Sequence, residues 1–133
     1  MLERTSGSVA PAGVVAELAG LIDRLAGLPG AVDDAERIDR IAVLEKLKAA
    51  VFAAQVGEQV DFDASQQAIN QARGLRGDRA RRGIAEQVGL ARQLSPASAA
   101  RQLTNARVLI RDMPATLALL RRGEVSEFVP PWW

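Results

Sequence analysis

Breakers cut this chain into helix-length pieces. Pro29-Gly30, the glycines at 74, 77 and 83, Ser95-Pro96, Pro114 and Gly123 each interrupt regular structure, because proline lacks an N–H and glycine tolerates φ > 0. Between them the apolar residues recur at steps of three and four, the period of a helix with one buried face. Alanine, leucine, valine and isoleucine supply that apolar content and aromatics are only 4%, which favours helices over strands. The chain is therefore predicted to be all-α, a bundle of about five helices with a long central one.

The first apolar stripe is Val14, Leu18, Leu21, Leu25 and Leu28, with Val15 and Ile22 beside it. It predicts a helix that stops at Pro29-Gly30. Asp33 followed by Glu36 has the form of a capping box, in which the first carboxylate accepts from free N–H groups and the second reaches back. The helix that starts there carries two apolar stripes, Leu44/Leu47/Val51/Ala54 and Ile38/Ile41/Phe52/Val56, which suggests neighbours on two sides and a central place. It is expected to reach about Glu58 or to run on into the polar stretch "ASQQAINQA".

After the glycines, Asp78 or Gly77 is expected to cap a helix that turns Ile84, Val88 and Ala91 inward, with Leu94 at its edge. Ser95-Pro96 marks the next start, serine as N-cap and proline in the first turn. That helix is predicted to bury Ala99, Leu103, Ala106, Ile110 and Met113 and to stop before Pro114. A short last helix, "ATLALLRR", is closed by Gly123. Residues 1–12 read as a loose tail, 13–123 as a single helical domain, and 124–133 as a frayed or truncated end holding the Trp132-Trp133 pair.

What the chain lacks excludes most hydrolytic chemistries. Without histidine or cysteine it has no zinc site of the usual kinds, no Ser-His or Cys-His nucleophile and no imidazole base. No enzyme, cofactor or metal is expected. Absent cysteine also suits a reducing compartment, so cytoplasm is the expected location. The apolar segment 14–28 is broken by Glu17, Asp23 and Arg24 and falls short of the roughly 20 residues that span a bilayer.

A net charge of +1 conceals an uneven distribution. Residues 1–72 hold 6 basic and 11 acidic side chains, whereas 73–122 hold 11 arginines against 3 acids. Such asymmetry points to an anionic partner for the basic half, to the halves docking on each other, or simply to arginines that solubilise exposed helix faces. The candidate nucleic-acid contacts are Arg79, Arg81, Arg82, Arg92, Arg101 and Arg107. Along the helix after Ser95, Arg107 and Arg111 share a flank while Arg101 lies nearly opposite the core stripe, so a continuous surface needs Arg92 from the preceding helix.

Ala85 and Gly89 stand like the small residue and turn glycine of a DNA-reading helix-turn-helix, but the helix should continue through "LARQL" to Ser95, and a plain helical hairpin fits better. The loop "GLRGDRARRG" has the glycines of a KH clamp without strands around them. Arg73, Arg76, Arg79, Arg81 and Arg82 could instead meet phosphate beside a helix start. The acids Asp33/Asp34/Glu36/Asp39 and Asp61/Asp63 are better explained as helix-end charges than as a Mg²⁺ site.

Three blocks, "ERIDRIAVLEKLKAAVFAAQ" (36–55), "RRGIAEQVGLARQLSP" (81–96) and "ARVLIRDMPATLALLRRGEVSEF" (106–128), resemble in order and spacing the opening part of the 13E12 repeat family. These are helical proteins of high-GC bacteria that carry the domain of unknown function numbered 222. The resemblance implies a link to repeated or mobile DNA, and many members add a C-terminal HNH endonuclease module. An HNH site uses histidines, so no nuclease residue carries over to this chain. Where members continue into another helix after a Ser-Glu-aromatic step, Ser126-Glu127-Phe128 here leads to "VPPWW", which reads as a C-terminal truncation.

The expected function is a non-catalytic helical domain with weak, non-specific and salt-sensitive binding to DNA through the arginine-rich half. The alternatives are self-association through apolar helix faces and a non-functional remnant of a mobile-element endonuclease gene.

Overall fold

The computed structural model describes residues 2–81 and 83–125, with side-chain surroundings from residue 13 onward. It is all-α among those residues: α1 (Leu2–Ala26), α2 (Asp34–Ala72), α3 (Asp78–Arg81, a single turn), α4 (Ile84–Arg92), α5 (Pro96–Asp112) and α6 (Pro114–Arg121). The 39-residue α2 is the long central helix. By contact the chain divides into two compact units, Met1–Arg37 and Ile38–Trp133, where one domain over 13–123 is expected from the sequence.

In the first unit, α1 begins at Leu2, so the segment expected as a loose tail is helical from residue 2. Pro11 cannot donate to the carbonyl four residues back, yet the helix continues through it. The helix ends at Ala26, and Gly27 N–H still donates to Asp23 O at 3.0 Å. The expected capping box forms: Glu36 N–H donates to Asp33 Oδ1 at 2.8 Å, and Glu36 Oε1 reaches back to accept from Val32 N–H at 2.7 Å. Asp33 thus satisfies a donor that the first turn of α2 cannot use internally.

The second unit is built on the C-terminal part of α2. Its core joins Ala49, Phe52, Ala53 and Val56 of α2 to Ala106 and Leu109 of α5 and Leu117 and Leu120 of α6, with Val60, Ile110 and Met113 packed at the margin. The alanines let helix backbones approach closely, and Leu120 and Val56 are the largest side chains wholly withdrawn from water. Leu120→Ala at such a site costs roughly 2–5 kcal/mol.

This core corrects both stripes expected on α2. Ile38, Ile41, Leu44, Val51 and Ala54 are exposed and Leu47 is half-buried, while Phe52 and Val56 are buried as expected. The buried stripe runs instead through Ala49, Phe52, Ala53, Val56, Gln59 and Asp63. It escaped the sequence reading because two of its members are alanines and two are polar. Ala91 is likewise exposed rather than inward-facing, whereas Ile84 and Val88 are buried.

Helix ends follow one device used three times. Leu75 N–H donates to Asn70 O, Leu94 N–H to Gly89 O and Glu124 N–H to Leu119 O, at 3.0, 2.8 and 2.9 Å. Each closes a helix over a residue with left-handed backbone: Gly74 (φ 88°), Gln93 (φ 59°) and Gly123 (φ 67°). This is the Schellman arrangement, which satisfies carbonyls the last turn leaves free. The helix expected to follow a cap at Asp78 or Gly77 is broken at Gly83 (φ 85°) into α3 and α4.

Candidate nucleic-acid interface

The arginines expected to meet nucleic acid are carried by α3, α4 and α5. α4 and α5 form a hairpin joined by Gln93, Leu94 and Ser95. Ser95 is the N-cap of α5, its Oγ accepting from Ser98 N–H at 3.2 Å, with Pro96 in the first turn. Gly89 lies inside α4, not in a turn, and faces α5: a Cβ there would stand 3.0 Å from Leu94 O and 3.3 Å from the Ala99 Cβ. The small residue is needed for close helix approach, which is the role of a hairpin glycine rather than of the turn glycine of a DNA-reading motif.

Arg92, in the last turn of α4, is half-buried and donates to Gln102 Oε1 of α5. Burial pushes its guanidinium pKa down from the ordinary value, and arginine stays protonated regardless. Gln102 adjoins Arg101, so the hairpin brings Arg92 to the helix turn that carries Arg101. The Arg101 guanidinium is exposed and lies 3.5 Å from Ser98 Oγ. It shares the exposed face of α5 with Ala97, Ala100 and Thr104, a face of short side chains spaced at one helical stripe.

On α3, Arg79 is exposed and Arg81 lies 3.9 Å from Asp78 Oδ1, both partners being largely exposed. A pair of that length and exposure contributes little. Arg82 lies outside the described residues.

Arg107 is placed differently from the rest. Its Nε donates to Asp63 Oδ2 of α2 at 2.7 Å, and Gln67 Nε2 donates to both Asp63 oxygens at 3.0 and 3.1 Å. The Asp63 side chain is only 5% exposed, so Arg107 compensates a buried charge within the fold and is not free to meet a ligand.

Arg111 and Asp112 form a two-point pair at 2.9 and 3.0 Å that holds the Asp112 carboxyl below its usual range and raises Arg111. Arg122 pairs with Glu124 at 2.8 Å. Arg76 donates to the carbonyls of Gln71 and Leu75 at the end of α2. Among the described residues, Arg73, Arg76, Arg79, Arg92, Arg101 and Arg121 have no carboxylate within ion-pair distance. Arg121 escaped the sequence reading, since nothing in its neighbourhood marks it out from Arg122.

Comparison with protein-family models, with curated proteins and with solved structures finds no match to this chain. Among the described residues no helix is long and apolar enough to cross a membrane.

Proposed function

We propose that this chain is a non-catalytic helical module that associates weakly, and without sequence preference, with nucleic acid through arginines that its own acids leave uncompensated. One observation carries the reading. Among the described residues of the unit Ile38–Trp133, Arg107–Asp63 is the ion pair that joins an arginine of the basic half to an acid of α2, so the acids of α2 within that unit leave most of those arginines uncompensated. The charge of Arg79, Arg101 and the other arginines that lack a carboxylate within ion-pair distance remains available to phosphates, which attract arginine through charge and two-point hydrogen bonds.

The α4–α5 hairpin is the element that presents it. Arg101 stands among Ala97, Ala100 and Thr104, whose short side chains let a phosphate backbone approach the helix, and Arg79 and Arg81 on α3 add charge without burial. Arg107 belongs to the scaffold of this surface rather than to its contacts. The resemblance to the helical region of the 13E12 repeat family fits such a role, and a cysteine-free chain fits a cytoplasmic one.

Titration of the full chain against duplex and single-stranded DNA at low salt tests the reading. Binding of both, falling steeply as salt rises, is the expected result. A chain that binds neither at low salt, or whose binding ignores salt, has another role.

A further inference from the structure

The basic half leaves one feature of the chain unused: the apolar stripe of α1. Val14, Leu18, Leu21 and Leu25 are all exposed, as are Val15 and Ile22 beside them. Within the unit Met1–Arg37, α1 is followed only by a loop and the first turn of α2, so no second helix of that unit covers the stripe. Its spacing is specific. Steps of four, three and four repeat the 3.5-residue period that keeps one seam facing a partner helix, with Val14 and Leu21 in one seam position and Leu18 and Leu25 in the other.

The residues flanking this seam say which helix fits it. On one flank stand Val15 and Ile22, on the other Glu17 and Arg24, while the far side carries Ala16, Ala19, Gly20 and Asp23. In a parallel pair each flank meets the opposite flank, so Glu17 would face Ile22 of the other helix and neither charge would find its complement. In an antiparallel pair like flanks meet. Glu17 then faces Arg24 of the second helix and Arg24 faces its Glu17, while Val15 and Ile22 of both helices extend the apolar seam. The same sequence is thus complementary to itself in one orientation only, and charges at these positions set orientation.

We infer that α1 pairs with α1 of a second copy of this chain in an antiparallel, two-fold arrangement that layers Leu18 on Leu21 and Val14 on Leu25 and closes two Glu17–Arg24 ion pairs. The pairing is independent of the proposed function. It would present two basic halves in one particle.

Sedimentation equilibrium of the full chain at tens of micromolar tests it, together with four variants whose helix content is followed by circular dichroism. The wild-type chain is expected to be a dimer and Leu21→Lys a monomer of unchanged helicity. Glu17→Arg and Arg24→Glu alone are each expected to weaken the dimer by roughly fourfold, two exposed pairs becoming like-charged, and the double exchange E17R/R24E is expected to restore it. Because the chain has no cysteine, orientation is read directly: Val14→Cys and Leu25→Cys chains should cross-link when mixed, and neither with itself. A wild-type monomer, a dimer indifferent to Leu21→Lys, or self-linking of Val14→Cys would each overturn the pairing, the last in favour of a parallel pair.

Discussion

Arg107 and Asp63, 44 positions apart in sequence, meet across 2.7 Å between α5 and α2. The carboxylate is buried and also accepts two bonds from Gln67, one helical turn further along α2. An acid in that position needs a cation, and Arg107 is the one the fold supplies. The contact ties α5 to α2 at the edge of the apolar cluster that these helices share with α6.

Loss of Arg107 should therefore be read in stability. Arg107→Ala leaves a buried carboxylate with only an amide for company, and the expected loss is about 3 kcal/mol. Arg101→Ala removes an exposed side chain and is expected to change stability by less than about 0.5 kcal/mol. Urea denaturation of both variants measures the difference; equal effects would contradict the separate roles assigned to the two arginines.

Nucleic-acid binding should respond in the opposite order. The triple variant R79A/R81A/R101A is expected to weaken binding to any DNA sequence and to reduce the slope of log affinity against log salt by about 2–3, one per phosphate contact. Arg107→Gln should leave that slope unchanged under conditions where the protein remains folded. Fluorescence anisotropy across a salt series gives both numbers.

Gly123 is expected to tolerate no side chain. Its φ is +67°, and a Cβ would come within 2.8 Å of the Lys46 Cβ and 3.0 Å of Lys46 O. Gly74, at φ +88°, has open space around it, so Gly74→Ala tests the backbone penalty alone. We expect about 1 kcal/mol of destabilisation for Gly74→Ala and about 2–4 kcal/mol for Gly123→Ala, where overpacking is added. Thermal unfolding of the two variants side by side separates the terms.

Gln93 offers a substitution that should stabilise. It ends α4 with φ 59°, a left-handed backbone that a side chain disfavours. Gln93→Gly relieves that strain at some cost in unfolded-chain entropy, and a net gain of about 0.5 kcal/mol is expected. A midpoint that falls in urea would show that the Gln93 side chain has a stabilising role of its own.

Local signals were legible wherever a residue acts on its own backbone. The Asp33–Glu36 cap, the Ser95 cap with Pro96, the stop before Pro114 and the closure at Gly123 follow from bonds within a few residues, and they were readable for that reason. Gln93 was not, because nothing in a glutamine announces a left-handed backbone; the turn geometry between α4 and α5 imposes it. Ala85 and Gly89 read as the markers of a DNA-reading turn only while the position of that turn is unknown.

By itself the sequence determined that this chain is helical, where most of its helices stop, that it holds no imidazole or thiol, and that its charges are unevenly spread, since all of these are properties of residue type and short spacing. Only the tertiary structure decided which face of α2 is buried and which arginine is consumed. Ala49, Ala53, Gln59 and Asp63 do not look like a core stripe until α5 and α6 lie against them, and Arg107 is indistinguishable from Arg101 until Asp63 is brought to it. Burial and pairing are relations between distant positions, and a linear pattern of residues does not contain them.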